Sequence, residues 1–594
     1  MNVDLIEKLT EGFDPLTRAE VVDGLRNGFP LGVEYVPPPR PWAPSFMDEA
    51  SRTRITAHFE AEVGAKRMLG PFTTKPTGHF WSKSVSFPVS QVPKGDGNFR
   101  TIFNLSFDYE NSVNAGIPAE AGYTTYPSFE EVAAELRAVG LDDVYMAMYD
   151  IQDAFRNLRI NPRDWLYQVV SWQRTVNGPK EWYIDLSLPF GIKVGPALFN
   201  KFGSALDFIY QQECLTSPQR GVIGRILRYL DDHLLLAKGK EQTDALLDDL
   251  LALMAELGLP VKDSKTIPAS EALKFIGFWW EPRRDLVTLD SGRWAKLEAE
   301  MLRINHLLDY GEVSVADIRS LSGVLCWAAK VIRFGMVYVR ELYAVVADLG
   351  MSSASRQACR STFFTDWRLI RRIRIDLTWW LDLCRDYRTK TGALAGVRIS
   401  QVGRQIATAV NPSLEIYSDM SGDGLGGYWF GTSLWAYAPI PHYITLDRMR
   451  RSEKDFISSG HGEAAGMLMC LLTFLPIWAA RFPHRRPGET VLLHSDSAVA
   501  VSVWNTQRGR ERMLPYLRVM ERLCAFYNII LQIRFVKGVD NIVADTISRL
   551  QDSKMCAELR AIFPEVMMCA QLREVFPAGN QFPQPRLSPD RLFL

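Results

Sequence analysis

Two short apolar runs near the middle of the chain, Ile226-Leu227-Arg228 and His233-Leu234-Leu235-Leu236-Ala237, flank the tetrapeptide Tyr229-Leu230-Asp231-Asp232. Two β-prone runs joined by two small polar residues predict a tight hairpin, with adjacent carboxylates held at its turn. Upstream, Phe129, Val132, Ala133 and Leu136 recur at helical spacing, and the apolar run Val144 to Tyr149 predicts a strand that delivers Asp150. Phe199, Phe202, Leu206 and Ile209 predict a helix with Pro196 at its first position. A leucine-rich helix over 244–257 ends at Gly258, and a strand pair surrounds Phe275-Ile276-Gly277-Phe278. Together these elements predict an α+β, palm-like layout with an antiparallel hairpin at its heart.

From about 291 to 395 the periodicity is mostly helical. A new α/β pattern then begins. Leu414 to Asp419 and Val491 to Asp496 read as strands that each end in Asp, Glu463 opens an apolar helix through Phe474, and Asp545 lies in a final helix. Val89 to Leu105 reads as a hairpin around Gly95-Asp96-Gly97-Asn98. The prolines Pro37, Pro38, Pro39 and Pro41 leave residues 1–70 hard to assign, and prolines from Pro577 onward predict a linker or tail over 551–594. No apolar run is expected to span a bilayer, and no signal peptide is expected.

At 594 residues the chain is too long for one core. Its formal net charge is +0, so any affinity for nucleic acid must come from local patches. One such patch runs from Arg356 to Arg374, where six arginines meet one Asp beside Trp367, Trp379 and Trp380. It suits a duplex backbone, or else a solvated helix face over a tryptophan core. The eight cysteines contain no CxxC pair, which excludes a zinc ribbon and fits a reducing compartment. Asp290-Ser291-Gly292 matches the aspartic-protease tripeptide, but it directly precedes a helical stretch, so N-capping explains it better.

The candidate chemistry is carboxylate chemistry. Asp231 and Asp232 form an ordinary turn or a site for a hard cation, which prefers carboxylate oxygens. Asp150 at the end of a buried strand is either a cap or a partner in that site. Lys94 and Arg100 flank the 95–98 turn and suit either a triphosphate or plain solvent. Asp419, Glu463, Asp496 and Asp545 offer a second acidic set, two on strand ends and two on helices.

These residues resemble a retroelement reverse transcriptase with a fused RNase H domain, over about residues 85 to 550. The motifs stand in that family's order: Lys94 and Arg100, Asp150-Ile151-Gln152-Asp153-Ala154-Phe155, Leu188-Pro189-Phe190-Gly191, Tyr229-Leu230-Asp231-Asp232, Lys265, and Phe275-Ile276-Gly277. The Leu-Pro-Phe-Gly form resembles long-terminal-repeat elements. Leu321-Ser322-Gly323 and the ending Asn541 to Arg549 resemble the tyrosine-recombinase (DIRS-like) group. One departure is the loop Phe535-Val536-Lys537-Gly538, where many RNases H of this type carry a His.

The resemblance implies a multidomain α+β and α/β protein: a right-hand polymerase of fingers, palm and thumb followed by an RNase H-like α/β domain. The expected boundaries are 1–70 without a role, 71–290 fingers and palm, 291–395 helical thumb or connection, 405–550 RNase H-like, and 551–594 tail. It implies two Mg2+ ions in each site, with Mn2+ as the alternative. Asp150, the Ile151 carbonyl, Asp231 and Asp232 would hold one pair, and Asp419, Glu463, Asp496 and Asp545 the other. Lys94 and Arg100 would grip a dNTP and Lys265 would be the acid for pyrophosphate. Phe155 would exclude a 2′-hydroxyl, Phe190 and Gly191 would meet the base pair, and Tyr229 would hold the primer end. The implied partners are an RNA template, a DNA primer, RNA–DNA hybrid and dNTPs, without a membrane, inside the cell in cytoplasm or nucleus. The rival readings are a domesticated RNA-binding scaffold without catalysis and an RNA-dependent RNA polymerase. The presence of every expected carboxylate speaks against the first, and the bulky Phe155 against the second.

Overall fold

The computed structural model describes the chain except residues 36, 39–46, 75–77, 94–98, 216–223, 333, 390–395, 403–411, 423, 441–456, 485–487, 508–512, 551–564 and 569–594. Lys94 and most of the proline-rich tail therefore lie outside the described residues. Two compact units emerge, one of Met1–Val287 with Arg398–Gly403 and one of Thr288–Val397 with Arg404–Leu594.

In the first unit a four-stranded antiparallel sheet runs in the order Gly224–Tyr229, Asp232–Lys238, Val144–Asp150, Ile267–Ser270. Its central strands are apolar on both faces, as burial between helices requires: Leu234, Leu235, Leu236 and Ala147 are fully buried. The helix Phe129–Val139 begins with a capping box from Ser128 and Glu131 and buries its Phe129, Val132, Ala133 and Leu136 stripe. The helix Gly195–Tyr210 carries Pro at its start, as its sequence predicts. A second sheet pairs Met68–Phe72, Lys180–Asp185 and Val169–Gln173, and the hairpin Val89–Pro93 with Phe99–Phe103 stands apart as two strands.

Residues 1–70, unassigned from sequence, form three helices: Val3–Leu9, Pro15–Asn27 and Glu49–Gly64. Ile6, Val21, Ile55 and Phe59 enter the core of this unit, and the Asn2 N–H donates to the Leu257 carbonyl at 2.8 Å. The segment is an integral layer of the unit.

In the second unit, helices Ser291–Tyr310, Val315–Ala328, Arg340–Asp348, Arg356–Ser361 and Trp367–Thr389 precede a six-stranded mixed sheet. Asp290 caps the first helix by accepting from the Arg293 N–H at 3.0 Å, the role expected of the Asp-Ser-Gly tripeptide. The sheet order is Ile529–Phe535, Glu489–Ser495, Leu414–Met420, Gly424–Trp429, Leu434–Pro439, Glu565–Met568. The last strand pairs in parallel with Leu434–Pro439, so part of the stretch read as a tail is sheet edge. Gly427 has no substitute, because a Cβ there would lie 2.2 Å from the Cys470 sulfur.

Two expectations are corrected. The segment Gly460–Arg481 is long and apolar enough by length and composition to cross a bilayer, contrary to the sequence reading, and 78% of its most apolar 18-residue stretch is buried in the protein. Its apolar surface is that of a central core helix: Leu468, Met469, Leu471, Phe474 and Trp478 are fully buried. The arginine patch is also smaller than its sequence suggests. Arg372 pairs with Glu341 and Asp348, Arg374 pairs with Asp309, and Trp380 is fully buried, which leaves Trp367 as the exposed tryptophan of the three.

Candidate active sites

The strands Val144–Asp150 and Asp232–Lys238 pair in antiparallel register, with Asp150 directly opposite Asp232. Side chains opposite one another in a ladder project to the same face, so register alone brings these two carboxylates together. Tyr229 pairs with Asp232 across the hairpin, so the two-residue turn is Leu230-Asp231. The sequence placed the turn one residue later; Asp232 is the first strand residue, not a turn residue. Leu230 adopts φ +56°, a region disfavoured for a residue with a Cβ. The Ile151 N–H donates to the Asp231 carbonyl at 3.1 Å and the His233 ring meets the same carbonyl at 3.0 Å, which together fix the turn. His233 is fully buried and stacks on Tyr149, with ring centroids 4.5 Å apart.

Carboxylate oxygens of Asp150, Asp231 and Asp232 all lie within 4.8 Å of one another. Like charges this close oppose one another's ionisation, and the effect falls on Asp231 and Asp232. Burial first, and then the neighbouring carboxylates, push Asp232 up to about 7 and raise Asp231 as well. Lys265 answers them most directly: its Nζ bonds the Asp150 carboxylate and lies 3.8 Å from Asp232, with the Arg100 charge acting on Asp231 from farther off. Burial draws the Lys265 ammonium down, but Asp150 outweighs it and the net shift is upward. Lys265 is held there because the Lys262 N–H donates to the Asp150 carbonyl at 2.9 Å and the Gln152 N–H to the Pro260 carbonyl at 2.8 Å.

The cluster opens into a cleft of about 1180 Å3 whose walls include Arg100, Ile151, Phe155 and Phe190. Phe155 stacks on Phe190 at 5.5 Å and 20° between ring planes, and meets Phe199 at 5.3 Å. The Arg100 guanidinium lies over the Phe190 ring at 5.4 Å. Gly191 sits at φ +99°, where a Cβ would also fall 2.9 Å from the Phe103 carbonyl oxygen. Tyr229 is not a wall of this cleft, and its ring lies tilted against that of Tyr126, centroids 4.8 Å apart. On one wall the sequence offers Arg54 as a cation for a phosphate backbone or a solvated surface residue, and gives no reading of His58 and Glu62. Arg54, His58 and Glu62 on the helix Glu49–Gly64 line the cleft. Their spacing of four puts them on one helix face, a signal present in the sequence.

A second acidic site lies in the second unit. Asp419 is the next-to-last residue of the strand Leu414–Met420, Asp496 follows the parallel strand Glu489–Ser495, and Glu463 points in from the helix Ile457–Arg481. Their carboxylates also lie within 4.8 Å of one another. Burial, then Asp419 and Asp496, push Glu463 well above the usual carboxylate range, and its Oε2 is buried without a hydrogen-bond partner. Burial raises Asp419 to about 6, against a 2.8 Å hydrogen bond from the Ser548 hydroxyl. Asp545 stands outside the three-carboxylate cluster and pairs with Arg549 at 2.6 Å. A buried carboxylate oxygen with no donor, aimed among other acids, fits a hard cation.

Residues 92–280 match the family model "Reverse transcriptase (RNA-dependent DNA polymerase)". A Gag-Pol polyprotein of avian reticuloendotheliosis virus is 27% identical over 155 residues, which cover 26% of this chain and 13% of that protein. The chain therefore spans about an eighth of that relative's length. Among solved structures, a foamy viral protease-reverse transcriptase in complex with double-stranded DNA has a TM-score of 0.43 at 13% identity, covering 90% of this chain and 82% of that one. The foamy viral protease-reverse transcriptase in complex with RNA/DNA hybrid has a TM-score of 0.42 at 12% identity, covering 90% and 63%. The residues that match the reverse transcriptase model, 92–280, hold Asp150, Asp231, Asp232 and the aromatic floor beside them.

Proposed function

We propose that this chain is an RNA-directed DNA polymerase of a retrotransposon, with a second site that hydrolyses the RNA of RNA–DNA hybrids. The observation that carries the polymerase reading is the convergence of Asp150, Asp231 and Asp232 at the mouth of a cleft inside a reverse transcriptase domain. Bound at these carboxylates, a pair of divalent ions, Mg2+ by preference, would supply the charge that stabilises in-line displacement at phosphorus.

The chain's own residues do the positioning. Asp150 and Asp232 are fixed by strand register and Asp231 by its turn. Arg100, over the Phe190 ring, offers a planar cation for a triphosphate. The Phe155 ring, backed by Phe190 and Phe199, fills the space a 2′-hydroxyl would need, which favours dNTPs. Lys265, on Asp150, is placed to give a proton to the leaving pyrophosphate. In the second unit, Asp419, Glu463 and Asp496 form the hydrolytic cluster, and Asp545 supports it from its rim. Hybrid selectivity there would rest on shape and the 2′-hydroxyl.

The test is extension of a primed RNA template with dNTPs and with rNTPs, in magnesium and in EDTA. Extension with dNTPs in magnesium alone is the expected result. Extension in EDTA, or equal use of both nucleotides, would contradict the reading.

A further inference from the structure

Phe155 is followed at once by Arg156, whose guanidinium is almost wholly buried. Its Nη1 and Nη2 donate to the two oxygens of Asp185 at 2.8 Å each. Its Nε and Nη2 donate to Glu62 Oε2 at 3.0 and 2.6 Å. Nη1 also reaches the Ser187 carbonyl at 3.3 Å, and the Asp185 carboxylate accepts from the Ser187 N–H at 3.1 Å. Glu62 is held from its other side by Arg67 at 2.6 Å, and Arg67 reaches Asp153 at 3.5 Å. Two cations thus face two buried carboxylates, with nearly every donor used. Burial would push the Glu62 carboxyl up, but Arg67 and Arg156 hold it at about 2.

The geometry of this knot matters more than its charge. Glu62 belongs to the helix Glu49–Gly64, Arg156 to the turn that carries Phe155, and Asp185 is the last residue of the strand Lys180–Asp185, after which the chain passes Leu188 to reach Phe190. A planar guanidinium bonded on two edges fixes three segments in distance and in angle. Two of those segments bear the stacked rings that floor the cleft. A buried charge that loses one partner is uncompensated, so the segments cannot relax independently.

We infer that Arg156, clamped between Glu62 and Asp185, is a positioning residue that sets the height of the Phe155 ring in the nucleotide cleft and thereby the discrimination between deoxyribose and ribose. The inference rests on the polymerase reading of the same cleft. It also gives the N-terminal helix Glu49–Gly64 a part in substrate choice.

The test uses the full chain on a primed RNA template, with kcat and KM for a dNTP and its matching rNTP. Glu62→Gln and Asp185→Asn each remove one charge and keep the shape. Each is expected to raise relative rNTP use about tenfold, chiefly through a lower KM for the rNTP, while kcat with the dNTP changes less. Arg156→Lys, which keeps the charge but not the fork, is expected to do the same. In a Phe155→Val background the Glu62→Gln change is expected to add nothing, because both act through one ring. If one variant fails to fold, the others decide by the same ratio. Equal loss of efficiency with both nucleotides, or effects of Glu62→Gln and Phe155→Val that multiply, would overturn the inference alone. A wild-type chain that extends no primer would instead sink the polymerase reading, and this inference with it.

Discussion

The two acidic clusters of this chain have the same count of carboxylates at the same spacing, yet they are built differently. In the first unit the cluster sits on a two-stranded register and a strained turn, opens to a wide cleft, and has a lysine in it. In the second unit the cluster joins two parallel strand ends to a core helix, and the nearby Arg549 is engaged by Asp545 at its rim. Glu463 keeps a buried oxygen without a donor. The first site therefore holds a lysine bonded directly to one of its acids, whereas the arginine nearest the second is bonded to Asp545 outside the three-carboxylate cluster. A wide, self-balanced site suits repeated entry of a charged nucleotide.

That contrast can be broken most sharply at the carboxylates. Asp150→Asn is expected to lower primer extension on the order of 10³-fold and to leave hybrid cleavage intact. Asp419→Asn is expected to do the converse, with both rates read on one preparation. A smaller effect is expected at the aromatic floor. Phe155→Val should raise rNTP use relative to dNTP by roughly 10- to 100-fold, measured as the ratio of kcat/KM values, with no change in cleavage. Next comes the rim acid. Asp545 stands outside the tight cluster, so Asp545→Asn should slow cleavage only about tenfold, less than Asp419→Asn; an equal loss would place Asp545 among the primary ligands.

The smallest effect concerns pH. Asp232 at about 7 and Asp419 at about 6 hold protons in the folded chain that the unfolded chain has already released. Their contribution to stability is therefore present below the unfolded values and is lost as pH rises through 6 to 7. A divalent ion must displace those protons, so it stabilises more at high pH. The rise in Tm on adding magnesium is expected to be larger at pH 8 than at pH 6, by about a few degrees. Equal rises at both would contradict the assigned clusters.

Much of this was legible in the residues. Strand-end acids announce themselves because a carboxylate at the end of an apolar run has few other uses, and Asp150, Asp419 and Asp496 all sit there. Turn position was harder. The sequence favoured Asp231-Asp232 as the turn pair, since Asp suits turns and Leu does not, but pairing with Asp150 overrides local preference and puts Leu230 at positive φ. Glu62 and Arg156 were invisible for another reason: they are 94 residues apart, and only the tertiary fold shows that a helix in a proline-broken region closes the wall of the cleft. The core helix Ile457–Arg481 was likewise underread, because an all-round apolar helix declares burial without saying in what.

The account stands on the two clusters being separate sites with separate chemistries. The direct measurement is primer extension and hybrid cleavage, in magnesium, on the same preparations of Asp231→Asn and Asp496→Asn. Loss of extension alone in the first variant, and of cleavage alone in the second, is the predicted result. Loss of both activities in either variant, or of neither in both, would contradict it.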